Sequence, residues 1–308
     1  MTHADSYAHV HQRSIQERDT FWREQASRID WQRQPEQICD TSQPPFARWF
    51  AGGTTNLCHN AVDRHVATRG DQAALIFVST ETGSERTINY RQLLREVETT
   101  AAMLQSLGVR QGDRVLLYMP MIPEAIIAML ATVRLGAIHS VVFGGFASAS
   151  LASRIDDARP KVIVTADAGS RGGKVVAYKP LLDDALRLAT HQVDHVLLVD
   201  RGLAPAKRLP PRDVDHAKLR EQHRHAQVPC TWVDATHPSY ILYTSGTTGK
   251  PKGVQRDTGG YAVALATSMD QIYQGKAGET FFCTSDIGWV VGHSYIVYGP
   301  LIAGMSTV

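Results

Sequence analysis

The sequence predicts an α/β fold, parallel-rich sheets joined by crossover helices, on two observations. Beyond His65 short apolar runs alternate with stretches of helical period, the pattern of strands linked by helices. Hydrophobic residues make up 43% of the 308 residues, enough for a full-sized core in about two domains.

The elements can be justified in order. From Ser6 to about Ala61 the chain is polar and Gln/Arg-rich, with Phe21, Trp22, Trp31, Phe46, Trp49 and Phe50 spread through it. Aromatics in polar surroundings anchor a segment onto a neighbouring surface, so residues 1–62 read as an extension with one helix over Ser14 to Ser27, and residues 63–308 as the domain it wraps. Leu93, Leu94, Val97, Ala101, Leu104 and Leu107 recur at helical spacing, Gly108 supplies a stop, and Arg114 to Met119 follows as a buried strand. Pro123 suits a first helical turn, Glu124 complements the dipole there, and Gly136 closes that helix before a strand over Ala137 to Val142. A helix from Ala147 to Ala158 leads into the strand Lys161 to Ala166, and one from Pro180 to Ala189 into His195 to Asp200. Arg201 to Pro238, with Pro205, Pro210, Pro211 and Pro229 inside it, reads as a surface excursion that includes a solvated helix near Val214 to Ala226. Tyr240 to Tyr243 is a short strand, Tyr261 to Ile272 a helix, and Thr280 to Cys283 and Met305 to Val308 are strand-like.

Composition narrows the partners. Thirty-two Lys and Arg against 30 Asp and Glu leave a charge of +2, so no bulk field draws the chain to nucleic acid. The longest apolar stretch, Ala125 to Val133, is far short of the roughly 20 residues a membrane-spanning helix needs. The polar N-terminus shows no leader pattern, which makes the cytoplasm the expected compartment and small molecules the expected partners. Cys39, Cys58, Cys230 and Cys283 are scattered, without zinc spacing, and read as ordinary reduced thiols; no metal ligand set is expected.

Thr244-Ser245-Gly246-Thr247-Thr248-Gly249-Lys250-Pro251-Lys252-Gly253 places four hydroxyls, three glycines and two lysines directly after a strand. Glycines let backbone N–H groups curl round anionic oxygens, hydroxyls donate further hydrogen bonds, and lysines add charge: a composition suited to polyphosphate. It is not a Walker A loop, because Gly246 stands only three residues before Gly249 and Pro251 follows Lys250.

This segment resembles the AMP-forming acyl-CoA synthetases of the adenylate-forming superfamily. Phe143-Gly144-Gly145-Phe146, Ala166-Asp167 through Arg171-Gly172-Gly173-Lys174, and Ser285-Asp286-Ile287-Gly288-Trp289-Val290-Val291-Gly292-His293-Ser294-Tyr295 are similar to the short-chain branch that acts on acetate and propionate. Gly253-Val254-Gln255-Arg256-Asp257 with Gly259-Gly260-Tyr261 leans towards propionate. The resemblance implies the N-terminal part of that family's large domain, with ATP, Mg2+ and coenzyme A as cofactors and a short-chain acid as substrate. It implies that Thr244, Ser245, Gly246, Thr247, Thr248, Gly249, Lys250 and Lys252 hold ATP phosphates. Gly144, Gly145, Arg171 and Lys174 would bind CoA, and Trp289, Val290, Val291 and His293 would line the passage where acyl group and pantetheine meet. Without the family, Arg171 and Lys174 are equally well surface cations, Gly144 and Gly145 a tight turn, and the Trp289 to Tyr295 aromatics a packed core. The family's adenylation lysine, its acidic metal-binding motif and its small C-terminal domain are expected beyond residue 308. The chain therefore reads as a fragment, inactive alone, with Met305 to Val308 left short of neighbours; a non-catalytic nucleotide- or CoA-binding remnant is the alternative.

Overall fold

The computed structural model describes residues 7–244 and 251–308, the side chain of Arg171 excepted. Its centre is a seven-stranded sheet in the order Asp213–Asp215, His195–Val199, Val162–Ala166, Arg114–Tyr118, Ile138–Val141, Pro238–Thr244 and Lys252–Asp257. Every pairing is parallel except the last, where Lys252–Asp257 returns antiparallel to Pro238–Thr244. The predicted parallel-rich architecture is what the chain forms.

Period-two alternation explains how each strand serves two cores. Val115, Leu117, Val162, Val164 and Leu197 face one side, where they join the buried residues of the helices Tyr90–Ser106 and Pro123–Arg134. Leu116, Tyr118, Ile163 and Val196 face the other, against Leu151 and Ile155 of helix Ser148–Ala158 and Leu182 and Ala185 of helix Tyr178–Leu188. The helices start and stop where local chemistry directs. Asn89 and Gln92 form a reciprocal capping box with bonds of 2.8 and 2.9 Å. Gly108 (φ 85°) follows the end of the same helix, and Pro123 occupies the first turn of the next.

A second, mixed sheet runs Thr280–Phe281, Ser306–Thr307, Ala73–Val78 and Glu85–Asn89. Met305 to Val308 was expected to lack neighbours; instead Ser306–Thr307 pairs on both sides, with Thr280–Phe281 and with Leu75. The sequence reading also missed the Ala73–Val78 and Glu85–Asn89 hairpin, although Ala73–Val78 is a continuous apolar run and only Glu85–Asn89 is polar and mostly exposed.

The N-terminal region departs from the single helix expected. Two helices, Tyr7–Gln16 and Arg18–Ala26, break at Glu17; only the second buries residues, Phe21, Gln25 and Ala26. A hairpin, Gln37–Gln43 with Phe46–Ala51, follows. The aromatics do anchor it: Trp31 and Trp49 pack on Phe50, Trp22 packs on Trp49, and the Trp31 indole donates 2.9 Å to the Ala26 carbonyl. Phe46 is the exception, exposed at the hairpin turn.

Residues 201–238 are more ordered than an excursion. Asp213–Asp215 is the sheet edge, His216–His223 is a helix, and Val233–Asp234 pairs with Thr54–Thr55. An aspartate-rich edge strand gives no apolar signal; charge holds it. Lys179, 1% exposed, sits 2.8 Å from Asp213 and 2.6 Å from Asp183, while Arg212 contacts Asp213 at 2.7 Å. Burial opposes the Asp213 charge, but hydrogen bonds from Arg212 and Lys179 outweigh it and hold the carboxyl below its ordinary range.

Removing one partner of this buried pair strands the other charge, so Lys179→Met should cost about 3 to 5 kcal/mol in urea unfolding. Because the folded-state carboxyl titrates below the unfolded one, the stability it contributes is complete above about pH 4 and is lost as pH falls below that. The Lys179→Met chain should lose less stability than the parent across that acidic window. A difference under about 1 kcal/mol at neutral pH would contradict the assignment.

Candidate functional site

Parallel strands leave all their carboxyl ends on one edge. The connection after Arg114–Tyr118 goes to Ile138–Val141 on one side, and the next strand, Val162–Ala166, returns to the other. A crevice outside that reversal of strand order is where α/β sheets receive ligands. A cavity of about 160 Å³ lies there, lined by Pro120 and Met121 after the first strand, Phe143, Gly144 and Gly145 after the second, and Ser170, Val176 and Tyr178 after the third. Glu81 and Asp286 complete its wall.

The glycine rim is set by close packing. A Cβ on Gly144 would stand 2.0 Å from the Tyr178 hydroxyl oxygen, and one on Gly169 would stand 2.9 Å from Pro120 Cβ, so neither position admits a side chain without movement. Tyr118 donates to the carbonyls of Gly144 and Phe146, at 3.4 and 3.2 Å, and its ring packs 4.8 Å from that of Tyr178. Two core tyrosines therefore clamp the loop.

Arg171 and Lys174 are directly paired across a two-residue hairpin, Ala168–Arg171 with Lys174–Ala177. Gly172 (φ 57°) and Gly173 (φ 75°) make its turn, which needs positive φ at both positions. This brings the two cationic positions together, and Lys174 is exposed. The hairpin base is tied down: Glu81 accepts from the Ser170 amide at 2.7 Å and from Arg201 at 2.6 Å, and Asp167 accepts from the amides of Arg201, Leu203 and Ala204.

At the same carboxyl edge, Pro238–Thr244 and Lys252–Asp257 bring Thr244 opposite Lys252 as the last pair of their ladder. Ser245, Gly246, Thr247, Thr248, Gly249 and Lys250 lie outside the described residues. The segment is thus a hairpin connection, with Lys252 already in the returning strand. Tyr243 fixes its root by donating 2.6 Å to Asp157, and Arg154 lies over the Phe146 and Tyr243 rings at 4.3 and 5.5 Å. That stack links the glycine rim to the hairpin.

The Trp289 segment divides. Trp289, Val290 and Val291 are 49%, 48% and 47% exposed, so they are not the packed core that their composition alone suggests. Trp289 touches Phe143 at 5.7 Å, which places it beside the glycine rim. His293 is buried, its ring 4.8 Å from Tyr240 and 5.2 Å from His139, and burial pushes it down to about 4, so it is neutral at neutral pH. His293 is not brought to the surface its neighbours share. Asp286, in the same segment, accepts 2.6 Å from the Gly288 amide; burial raises its carboxyl above the ordinary range. Sequence reasoning missed Tyr178, Glu81 and Met121. Tyr178 follows a motif that was singled out, whereas Glu81 sits in the turn between Ala73–Val78 and Glu85–Asn89, an exposed polar stretch with no motif around it.

These features define a class: an α/β protein with a glycine-rimmed crevice and a hydroxyl- and lysine-rich hairpin at the carboxyl edge of one sheet. The chain belongs to the AMP-binding enzyme family, whose model matches residues 62–308, and the acetyl-coenzyme A synthetase N-terminus model matches residues 7–61. It is 65% identical over 303 residues to propionate–CoA ligase of Escherichia coli, covering 98% of this chain and 48% of that protein. It is 47% identical to the mitochondrial acyl-CoA synthetase short-chain family member 3 of Mus musculus, covering 96% and 43%, and 46% identical to acetyl-coenzyme A synthetase of Methylobacterium radiotolerans, covering 98% and 47%. Among solved structures, acetoacetyl-CoA synthetase from Streptomyces lividans superposes with a TM-score of 0.89 at 30% identity over 98% of this chain and 46% of that one. The chain spans about half the length of the curated relatives it matches. No helix among the described residues is long and apolar enough to cross a membrane.

Gly144→Ala should force Tyr178 off its contact and narrow the cavity, at a cost of about 1 to 3 kcal/mol from overpacking. Thermal and urea unfolding check the cost. An unchanged midpoint would show that the rim yields freely and that the clamp is not tight.

Proposed function

We propose that the chain takes part in ATP-dependent ligation of a short-chain carboxylic acid to coenzyme A, with propionate ahead of acetate, through an acyl-adenylate, releasing AMP and pyrophosphate. The observation that carries this reading is that Thr244 and Lys252, the two ends of the hydroxyl- and lysine-rich segment, share one sheet edge with the Gly144 and Gly145 crevice. The 65% identity to propionate–CoA ligase favours propionate. Residues 1–62 would serve as the extension and residues 63–308 as the first part of the adenylating domain.

Each half of the reaction asks for something this chain offers. The carboxylate attacks the α-phosphate of Mg-ATP, and the departing pyrophosphate carries the charge. Thr244, Ser245, Gly246, Thr247, Thr248, Gly249, Lys250 and Lys252 would supply hydroxyl, amide and ammonium donors for the β- and γ-phosphates, which stabilise the charge that develops on the leaving pyrophosphate. The CoA thiol then attacks the mixed anhydride. The crevice at Gly144 and Gly145 would receive the extended pantetheine, and Arg171 and Lys174, paired on the hairpin whose Ser170 and Val176 line that crevice, match the phosphate end of CoA. Exposed Trp289, Val290 and Val291 offer an apolar wall where acyl group and thiol would meet, with buried His293 supporting that wall from behind. Residues 1–308 alone are proposed to lack turnover, because adenylation needs acid, α-phosphate and metal held in line, and positioning is worth about 7 to 11 kcal/mol.

The test joins residues 1–308 to the second half of the Escherichia coli ligase. The chimera should form propionyl-CoA and AMP, while residues 1–308 alone should not. In the chimera, Lys252→Ala should depress acid-dependent pyrophosphate exchange. Lys174→Ala and Arg171→Ala should instead raise KM for CoA roughly tenfold to a hundredfold, the worth of a charge-assisted contact, and leave exchange nearly intact. Unchanged CoA kinetics in both would return these residues to the surface reading.

A further inference from the structure

Two of the four scattered cysteines are brought together by the fold. Cys58 is fully buried just ahead of the turn His59–Asp63, and Cys230, partly exposed, precedes Val233–Asp234. The two sulfurs and the Asp63 carboxylate lie within 4.8 Å of one another. Asp63 Oδ2 accepts from both thiols, at 3.9 Å from Cys58 and 3.7 Å from Cys230. Arg134, its side chain 3% exposed, places Nη1 3.5 Å from Cys58 Sγ and 2.8 Å from Asp63 Oδ2, and Glu98 holds its other nitrogen at 3.3 Å. This group shares no residue with the lining of the glycine-rimmed crevice and has no part in the proposed ligation.

We infer that Cys58 and Cys230 are a redox-modifiable dithiol, which a peroxide converts into a disulfide joining the N-terminal extension to the segment that leads into Pro238–Thr244. The geometry gives each group a task. Cys230 is the sulfur a small oxidant reaches. Its sulfur attacks one peroxide oxygen, the O–O bond breaks, and a sulfenic acid and one water leave that step when the oxidant is hydrogen peroxide. Cys58 sulfur then displaces the hydroxyl from the Cys230 sulfur, forming the S–S bond and a second water. Two thiols and one peroxide thus give one disulfide and two waters; the sulfurs lose two electrons and the peroxide gains them.

Arg134 Nη1 lies 3.5 Å from the Cys58 sulfur that attacks in the second step, and Asp63 Oδ2, which accepts from both thiols, is placed to take the thiol proton at each step. The hydrogen bond to Cys58, burial and the Asp63 carboxylate all push the Cys230 thiol up, so Cys230 rests as a thiol and survives until oxidant is abundant. The sulfurs must close from within 4.8 Å to about 2.05 Å, a movement the partly exposed Cys230 segment can make. A soft divalent cation would find the same two sulfurs and carboxylate. Arg134 already supplies the positive charge at that point, which favours oxidation over metal binding.

The test treats the folded chain with hydrogen peroxide after removal of reductant, then denatures it, alkylates the remaining thiols and maps peptides by mass spectrometry. The number of free thiols should fall from four to two. The intact mass should drop by about 2 Da, with one peptide linked through Cys58 and Cys230, and dithiothreitol should reverse both changes. Cys230→Ser should abolish that link while Cys39 and Cys283 label as before, and oxidation in denaturant should scatter the links among all four cysteines. Two outcomes would overturn the inference: Cys58 and Cys230 both still alkylated when Cys39 or Cys283 has been oxidised, or purified chain carrying one zinc ion that shields both thiols.

Discussion

The obligation on the rest of the molecule comes from the central parallel strands, which bury both faces. Val115 and Leu117 serve one core and Leu116 and Tyr118 the other, so these strands offer solvent little but their ends. Parallel pairing puts the carboxyl ends together on one edge, where polar groups from several strands can meet a ligand. Tyr118 joins the two regimes. Its ring belongs to the core, yet its hydroxyl emerges at the strand end to bond the Gly144 and Phe146 carbonyls. Core packing and site geometry are therefore one mechanical unit.

Charge performs a complementary task away from that edge. The chain's least apolar connections are held by buried or half-buried ions. Lys179 ties Asp183 and Asp213 together beside the sheet's outer strand, Glu81 bonds Arg201 and the Ser170 amide under the cationic hairpin, and Arg134 joins Asp63 to Glu98 beneath the N-terminal extension. Each pair would be costly to break singly, since the surviving ion would be left without its partner in a dry setting. Such pairs give segments with little apolar surface a fixed place.

What the sequence made legible follows from these forces. Continuous apolar runs announced the parallel strands, and Pro123, Gly108 and Gly136 announced helix ends, because those signals are local. Arg171 to Lys174 was legible as two cations around two glycines, and the hairpin pairing explains why that spacing brings them together. Glu85–Asn89 and the Asp213–Asp215 edge were not legible, since their residues are half-exposed or charged and gain their strand state from partners, whereas the apolar run of Ala73–Val78 was a strand signal that the reading missed. Glu81 in the crevice wall and the meeting of Cys58 with Cys230 were invisible for the same reason. Trp289 to His293 needed both sources: composition favoured a core, resemblance favoured a surface, and the fold exposes Trp289, Val290 and Val291 while burying His293.

The claim that the carboxyl edge is the ligand site can be tested without any substitution, by hydrogen–deuterium exchange of the chain with and without coenzyme A. Ligand seated in the crevice should slow exchange in residues 143–146, 168–178 and 286–292 together, because these three segments form its wall from separate strands. Protection confined to the aromatic pocket of Trp22, Trp49 and Tyr261, with residues 143–146 and 168–178 unchanged, would contradict the account.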